Sequence, residues 1–365
     1  MNALIAGGGT GGHVFPALAM AEALRARGAT VRFVGAEDGP EATMVPAADY
    51  PFTGVRVISA QTRLSPRTIR AVGLILRAAW QVRGVVRGSD VVISIGGFAS
   101  APATLAALFT RRPVVIVEPN AIPGVVNRIT ARWAVAAATA FTGAADRLPT
   151  RLRVVRTGTP IRPEIAAVTD DRSALRASAI AAFDLAADRT TVLVTGGSQG
   201  ALSLDRAVAG VLGELAGRDD VQLLVSTGPA HLDVVRDRVD ASAELVVRAL
   251  PFIERMDLAL AVADLAVGRS GGSVAELAAC RIPAILVPYP YATEGHQAAN
   301  ARELEELGAA TAIDDRDLTP SALTAAILEL VDDEERRTRM AAAMGAWGRT
   351  DAATAIAIIA EEVAR

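Results

Sequence analysis

Twice in this chain, small residues and a helix start combine in a way that can hold an anion. Gly7-Gly8-Gly9-Thr10-Gly11-Gly12-His13 follows the apolar run Ala3-Leu4-Ile5-Ala6. Thr195-Gly196-Gly197-Ser198-Gln199-Gly200-Ala201 follows Val192-Leu193-Val194. Each then opens into a helical pattern. A strand, a glycine turn and a helix amino terminus turn bare backbone N–H groups toward a ligand, and the helix dipole favours negative charge there. Two such units half a chain apart imply two α/β domains, each able to hold phosphate.

The residues around these loops offer further chemistry. Gly7-x-Gly9-x-x-Gly12 matches the dinucleotide fingerprint, with Glu37 or Asp38 as the acid it requires. His13 directly after the last glycine and Pro16 in the first helical turn speak against that reading, and it leaves the second loop without a task. At a helix amino terminus the dipole disfavours imidazolium, so His13 is expected as a neutral proton acceptor or as a structural histidine. Gly96-Gly97-Phe98-Ala99-Ser100 offers a third close-approach turn. Glu118 and Asn120 follow an apolar run, where a carboxylate and an amide suit sugar hydroxyls. Arg269-Ser270-Gly271-Gly272-Ser273-Val274-Ala275-Glu276 repeats the small-residue turn and puts Glu276 in a first helical turn, as a dipole partner or an acceptor for a ribose diol. Gln297 and Asn300 close the set.

The elements that must position these residues are short apolar runs separated by helical stretches. Strands are expected at 31–34, 91–95, 114–117, 192–195, 223–226, 265–267 and 284–287. Buried runs between helices imply parallel sheets covered on both faces, with ligands beyond the carboxyl ends of the strands. The glycine and proline content of Thr157-Gly158-Thr159-Pro160-Ile161-Arg162-Pro163 marks a boundary. It divides the chain into domains at 1–160 and 161–340, with an alanine-rich helical segment, 341–365, able to pack back on the first.

Bulk properties agree with a two-domain α/β protein of 365 residues. The net charge of −3 offers no basic field for nucleic acid, and all basic residues are arginine. A single cysteine, Cys280, excludes an internal disulfide framework and a cysteine-built zinc site, and His13, His231 and His296 are too scattered for a metal pattern. Neither a signal peptide nor a long uncharged apolar run is expected. Residues 63–87 stand out. They carry Arg63, Arg67, Arg70, Arg77, Arg83 and Arg87, no acid, and interleaved Leu64, Ile69, Val72, Leu76 and Trp80. Such a helix either turns its apolar side to the core or docks on anionic lipid.

Taken in order, the segments GGGTGGHVFPALA (7–19), GGFASAP (96–102), EPNAIPGVVNR (118–128), TGTPIR (157–162), TGGSQGA (195–201), RSGGSVAEL (269–277) and HQAANA (296–301) resemble the MurG-type glycosyltransferases of peptidoglycan synthesis. The resemblance spans nearly the whole chain. It departs from the family's pattern at Pro119, at His296, at Thr159 and in the run from Gly271 to Glu276, which is one residue short. Asn120, Arg162, Glu276 and Gln297 are kept.

That resemblance implies the GT-B fold, with two Rossmann-like α/β domains facing across a cleft. It implies an inverting transfer of GlcNAc from UDP-GlcNAc to the C4 hydroxyl of lipid I (undecaprenyl-diphospho-MurNAc-pentapeptide), at the cytoplasmic face of the bacterial plasma membrane. Ser198 and Arg162 would address the donor diphosphate, and the backbone of Ile253 would contact uracil. Gly272, Ser273, Val274, Ala275 and Glu276 would line the nucleotide, with Gln297 and Asn120 on the donor sugar. Thr10, Gly11 and Gly12 would lie near the transferred sugar and the acceptor diphosphate. His13 is the leading candidate for general base or acceptor-site residue, and Glu118 is its rival. No cofactor is required on this view, although a divalent cation can travel with the diphosphate. An anionic membrane surface would meet residues 63–87. A nicotinamide oxidoreductase, an epimerase of the same fold, a transferase for another UDP-sugar and a non-catalytic protein that binds a sugar nucleotide are the alternatives.

Overall fold

A computed structural model describes residues 1–9, 11–58, 66–197, 199–239 and 245–365, excepting the side chains at 11, 66 and 67. The chain forms two compact units, Met1–Arg162 with Thr350–Arg365, and Pro163–Arg349.

The first unit is built on a parallel sheet of β1 (Asn2–Gly7), β2 (Thr30–Ala36), β3 (Phe52–Val55), β4 (Val91–Gly96), β5 (Val114–Glu118), β6 (Ala136–Thr139) and β7 (Arg153–Arg156). Their spatial order is β3-β2-β1-β4-β5-β6-β7. Successive strand residues face opposite sides, so neighbours in sequence enter different cores. Ile5, Ile93 and Val115 pack under helices Gly11–Ala26 and Ala352–Ala364, while Leu4, Val92 and Val114 pack under helices Pro66–Arg87 and Ala101–Thr110.

The second unit repeats the plan with β8 (Thr190–Thr195), β9 (Val221–Ser226), β10 (Val246–Leu250), β11 (Leu265–Gly268), β12 (Ala284–Leu286) and β13 (Ala310–Ala312). Their order is β10-β9-β8-β11-β12-β13, again parallel. In both sheets the strand order reverses beside the first strand of the unit, between β1 and β4 and between β8 and β11. Ligands of doubly wound sheets bind at that reversal, outside the carboxyl ends of the strands.

The end of the chain divides between the units. Helix Glu334–Trp347 stays in the second unit with Trp347 buried. At Gly348 an added Cβ would stand 2.6 Å from the Ala278 carbonyl oxygen, so the chain passes tightly over helix Ser273–Ala279 before leaving. The segment that returns is therefore shorter than 341–365. Helix Ala352–Ala364 buries Ile356 and Ile359 in the first core, worth about 1.5–3 kcal/mol each. Its outer side pairs Glu361 with Arg27 through two 2.8 Å bonds. An exposed pair of this kind orients the helix more than it stabilises it.

Candidate active site

The first glycine loop leaves β1 and meets the end of β4, where Gly7 lies opposite Gly96. Beneath it sits a side chain that sequence reasoning missed. Glu41 starts helix Glu41–Ala47 and is only 2% exposed. Its carboxylate accepts from the Gly9 amide at 2.9 and 3.1 Å and from the Ala36 amide at 2.8 Å. An added Cβ at Gly8 would stand 1.9 Å from a Glu41 oxygen, and at Gly39 2.4 Å from the other. With φ at +148°, Gly8 passes over the carboxylate as no side-chain-bearing residue can. The expectation of a loop of bare N–H groups is corrected here, because the Gly9 N–H is already taken. Helix Gly11–Ala26 follows directly, and a helix cannot bond the N–H groups of its own first turn. Gly11 and Gly12 open that helix and half-buried His13 is its third residue. The Arg162 guanidinium lies 5.1 Å over the ring of Phe15, two residues beyond His13. Arg162 thus belongs to the first unit, not to the domain expected to start at 161. Thr10 lies outside the described residues.

Glu118 ends β5 and is also 2% exposed. One oxygen accepts from the Asn120 backbone N–H at 3.0 Å and its Nδ2 at 3.2 Å. The other accepts from the Gly124 N–H at 3.0 Å and Asn127 Nδ2 at 2.9 Å. Burial raises its pKa, and these four donors oppose the rise. A general base must present a lone pair to the substrate hydroxyl, and both oxygens here are turned into the loop. Glu118 is accordingly a clasp that shapes residues 118–127, which corrects its place as rival base. Asn120 is half-buried beside it. Buried Asn127 joins the neighbouring strand ends, since Ser94 Oγ donates to its Oδ1 at 3.3 Å while its Nδ2 also donates to the Val117 carbonyl at 3.1 Å.

In the second unit the matching loop is backed by a hydroxyl. The Gly197 N–H donates to Thr195 Oγ1 at 3.2 Å, and the Gly200 N–H closes the turn on the Gly197 carbonyl at 3.0 Å. An added Cβ at Gly200 would stand 1.8 Å from the Thr227 carbonyl oxygen, so the turn presses directly on the loop that follows β9. Asp205, fully buried in the first turn of helix Leu202–Glu214, meets His231 Nδ1 at 3.0 Å. Desolvation pushes Asp205 up to about 6, against the pull of His231. Ser198 lies outside the described residues.

The neighbouring loop at the end of β11 is set by buried Arg269. It donates to Asp315 at 2.6 Å, to Ser203 Oγ at 2.8 Å and to the Val287 carbonyl at 3.1 Å. Next to it Ser270 Oγ donates to the Gln297 carbonyl at 2.8 Å, and buried Asn300 donates to the Ser270 carbonyl at 2.9 Å. Gln297 Oε1 accepts from the Tyr289 N–H at 2.9 Å, while its Nε2 lies 3.5 Å from where a Gly271 Cβ would be. The residues from Gly272 to Glu276 enter helix Ser273–Ala279 with Gly272 at its N-cap. Val274 and Ala275 bury their side chains, leaving only their backbone for a ligand, whereas Ser273 and Glu276 stay partly exposed. Ile253 is buried in the turn beyond β10. The second glycine loop, the 269–276 turn and Gln297 thus converge on the strand reversal, with Ile253 at the outer strand.

Among the described residues no group of histidine, cysteine, aspartate and glutamate is arranged to hold a metal ion.

The sequence matches two family models, the glycosyltransferase family 28 N-terminal domain over residues 3–139 and the glycosyltransferase family 28 C-terminal domain over residues 191–356. It is 40% identical to the UDP-N-acetylglucosamine--N-acetylmuramyl-(pentapeptide) pyrophosphoryl-undecaprenol N-acetylglucosamine transferase of Moorella thermoacetica, over 98% of this chain and 97% of that protein. The crystal structure of Acinetobacter baumannii MurG superposes with a TM-score of 0.78 at 27% identity, covering 99% of each chain. The UDP-GlcNAc 2-epimerase of Neisseria meningitidis, solved with UDP-GlcNAc, shares the fold at a TM-score of 0.70 but only 12% identity, over 98% of this chain and all of that one.

Proposed function

The chain belongs to glycosyltransferase family 28, and on that premise we propose that it transfers GlcNAc from UDP-GlcNAc to the C4 hydroxyl of the MurNAc of lipid I, forming lipid II. The observation that carries this reading is the end-to-end likeness to a transferase of that name, which covers both glycine loops. The likeness to the epimerase extends to the fold alone.

In an inverting transfer the acceptor oxygen attacks C1 as UDP leaves from the opposite face, so one group takes the hydroxyl proton and others meet the charge on the leaving diphosphate. On our reading His13 takes the proton. The second glycine loop with Ser198, together with Arg162, meets the donor diphosphate, and a guanidinium can bond two of its oxygens at once. The Ile253 backbone faces uracil, Glu276 the ribose, and Gln297 and Asn120 the sugar. Thr10, Gly11 and Gly12 serve the acceptor. The chemistry so assigned calls on no resident cofactor, and a divalent cation can enter with the diphosphate. Incubation of the protein with UDP-GlcNAc and a lipid I analogue tests the proposal. Release of UDP with formation of the disaccharide is expected, and free GlcNAc or an epimerised UDP-sugar instead would overturn it.

A lipid-linked acceptor also asks for a membrane-facing surface. Among the described residues no helix is long and apolar enough to cross a membrane. Helix Pro66–Arg87 turns Ala71, Ala78, Val82 and Val86 inward and leaves Ile69, Val72, Leu76 and Trp80 exposed, with Trp80 at 69%. The Arg83 guanidinium stacks 3.7 Å over the Trp80 ring, and the adjoining helix Ala101–Thr110 exposes Phe109. Exposed apolar side chains among arginines suit the headgroup region of an anionic bilayer. We read this face as a peripheral contact with the cytoplasmic side of the plasma membrane. Arg63 and Leu64 lie outside the described residues. Reversing the charges of Arg70 and Arg77 should weaken binding to anionic vesicles, and unchanged binding would refute the contact.

A further inference from the structure

At the amino ends of β11 and β12, the edge of the second sheet opposite its glycine loop, four arginines converge on one cleft of about 470 Å³. Arg172 and Arg176 come from helix Arg172–Phe183, Arg281 from the turn after helix Ser273–Ala279, and Arg337 from helix Glu334–Trp347. Ser173 and Thr338 add hydroxyls to the lining, and the one acid there is Asp264.

Three of these cations have structural partners. Arg172 donates to the carbonyls of Ala261 at 3.2 Å and Cys280 at 3.3 Å, and Arg176 to the Val262 carbonyl and both oxygens of Asp264 at 3.2 Å. Arg337 donates to the Leu330 and Val331 carbonyls. Each therefore caps a helix carboxyl end. A helix end supplies roughly half a negative charge. Three helix ends and one carboxylate thus cancel about two and a half of the four positive charges, leaving a surplus near one and a half. A phosphate group carries about −1.5 to −2 at neutral pH.

Arg281 is the arginine that capping does not explain. No hydrogen bond or ion pair with the described residues engages its guanidinium. Its backbone sits at φ +56°, a left-handed position directly after a helix end where glycine is the usual choice. Its stem is so close to Gly345 that a Cβ there would stand 2.8 Å from Arg281 Cγ. The left-handed backbone of Arg281 and the glycine at 345 let its stem lie close to helix Glu334–Trp347 while the residue lines the cleft.

We propose that this cleft binds a phosphate-bearing anion, with Arg281 as the residue that completes the site. The ligand is a phosphate or diphosphate group, free or carried on a small molecule, and its site is separate from the glycine loops. The test is thermal unfolding of the full chain in inorganic phosphate or pyrophosphate, against chloride of equal ionic strength and with UDP present throughout to fill the donor site. Ligand that binds the native state raises the melting temperature. Both phosphate species should raise it for the unsubstituted protein. Arg281→Gly removes the guanidinium and relieves the left-handed strain, so it should fold at least as stably while binding phosphate about tenfold or more weakly. A phosphate response that persists unchanged in Arg281→Gly would overturn the proposal, as would no response in the unsubstituted protein. The shift produced by UDP alone is read separately, so failure of the donor assignment would not be mistaken for failure of this site.

Discussion

The two glycine loops share a layout and differ in what stands behind them. Behind Gly8 and Gly9 lies the buried carboxylate of Glu41, whereas behind Gly197 lies the neutral hydroxyl of Thr195. Each group takes one backbone donor, the Gly9 N–H or the Gly197 N–H, but only the carboxylate also opposes a second anion placed on its loop. The loop backed by the hydroxyl is the better seat for a diphosphate. The loop backed by the carboxylate is better suited to a neutral hydroxyl that must lose a proton, with His13 two residues into the following helix. On the proposed assignment, similar strand, turn and helix signals serve different partners, and the contrast between the loops comes from Glu41, a residue outside the motif.

The comparison can be broken at either loop. The largest effect is expected at His13. If it is the base, His13→Ala lowers kcat by about 10²–10⁴-fold while UDP affinity measured by calorimetry stays within twofold, as loss of general-base catalysis predicts. Next is Gly200→Ala. A methyl 1.8 Å from the Thr227 oxygen, at φ +73°, must displace the turn, at a cost of roughly 1–3 kcal/mol from the backbone conformation alone. UDP affinity should fall more than tenfold with the first unit intact. Glu41→Gln replaces one acceptor oxygen by a donor facing the Gly9 N–H. Denaturant unfolding should show a loss of about 1.5–3 kcal/mol, the range for a hydrogen bond to a charged group.

The smallest expected effect concerns Asp205. Its pKa of about 6 lies above the ordinary 3.8, so the native state holds the proton more tightly than the unfolded chain does. Stability therefore rises as pH falls from about 6 toward 4 and is lowest above that window. Asp205→Asn should flatten the slope there by up to about 1 kcal/mol per pH unit, as followed by urea unfolding at several pH values. An unchanged slope would show that His231 already holds the carboxylate charged across the window.

Much of the fold was legible because central parallel strands are buried on both faces and appear as unbroken apolar runs, as at β1, β4 and β5. The strands that escaped notice, β3, β6, β7, β10 and β13, lack that signal. β6 is Ala136–Thr139, and alanine has little β preference; β7 has an arginine at each end and lies at a sheet edge; β3 contains a glycine. In the site, the glycine loops and the Glu118–Asn120 turn were visible as short contiguous motifs. Glu41 was not, because its partners Gly9 and Ala36 come from separate segments that meet only when β1 and β2 pair. The glycines at 35 and 39 flanking the approach to an acid at 41 were the local trace of it. Glu118 misled for a related reason. Its place at a strand end suggests reactivity, and only the four donors folded around it reveal a clasp.

The division of labour between the loops is tested most directly by steady-state kinetics of Glu41→Gln with both substrates varied. The account predicts that KM for the lipid I analogue rises about tenfold while KM for UDP-GlcNAc stays within twofold, since about 1.4 kcal/mol of lost binding at one loop is a factor of ten at that loop only. A rise confined to UDP-GlcNAc, or an equal rise for both substrates, would contradict it.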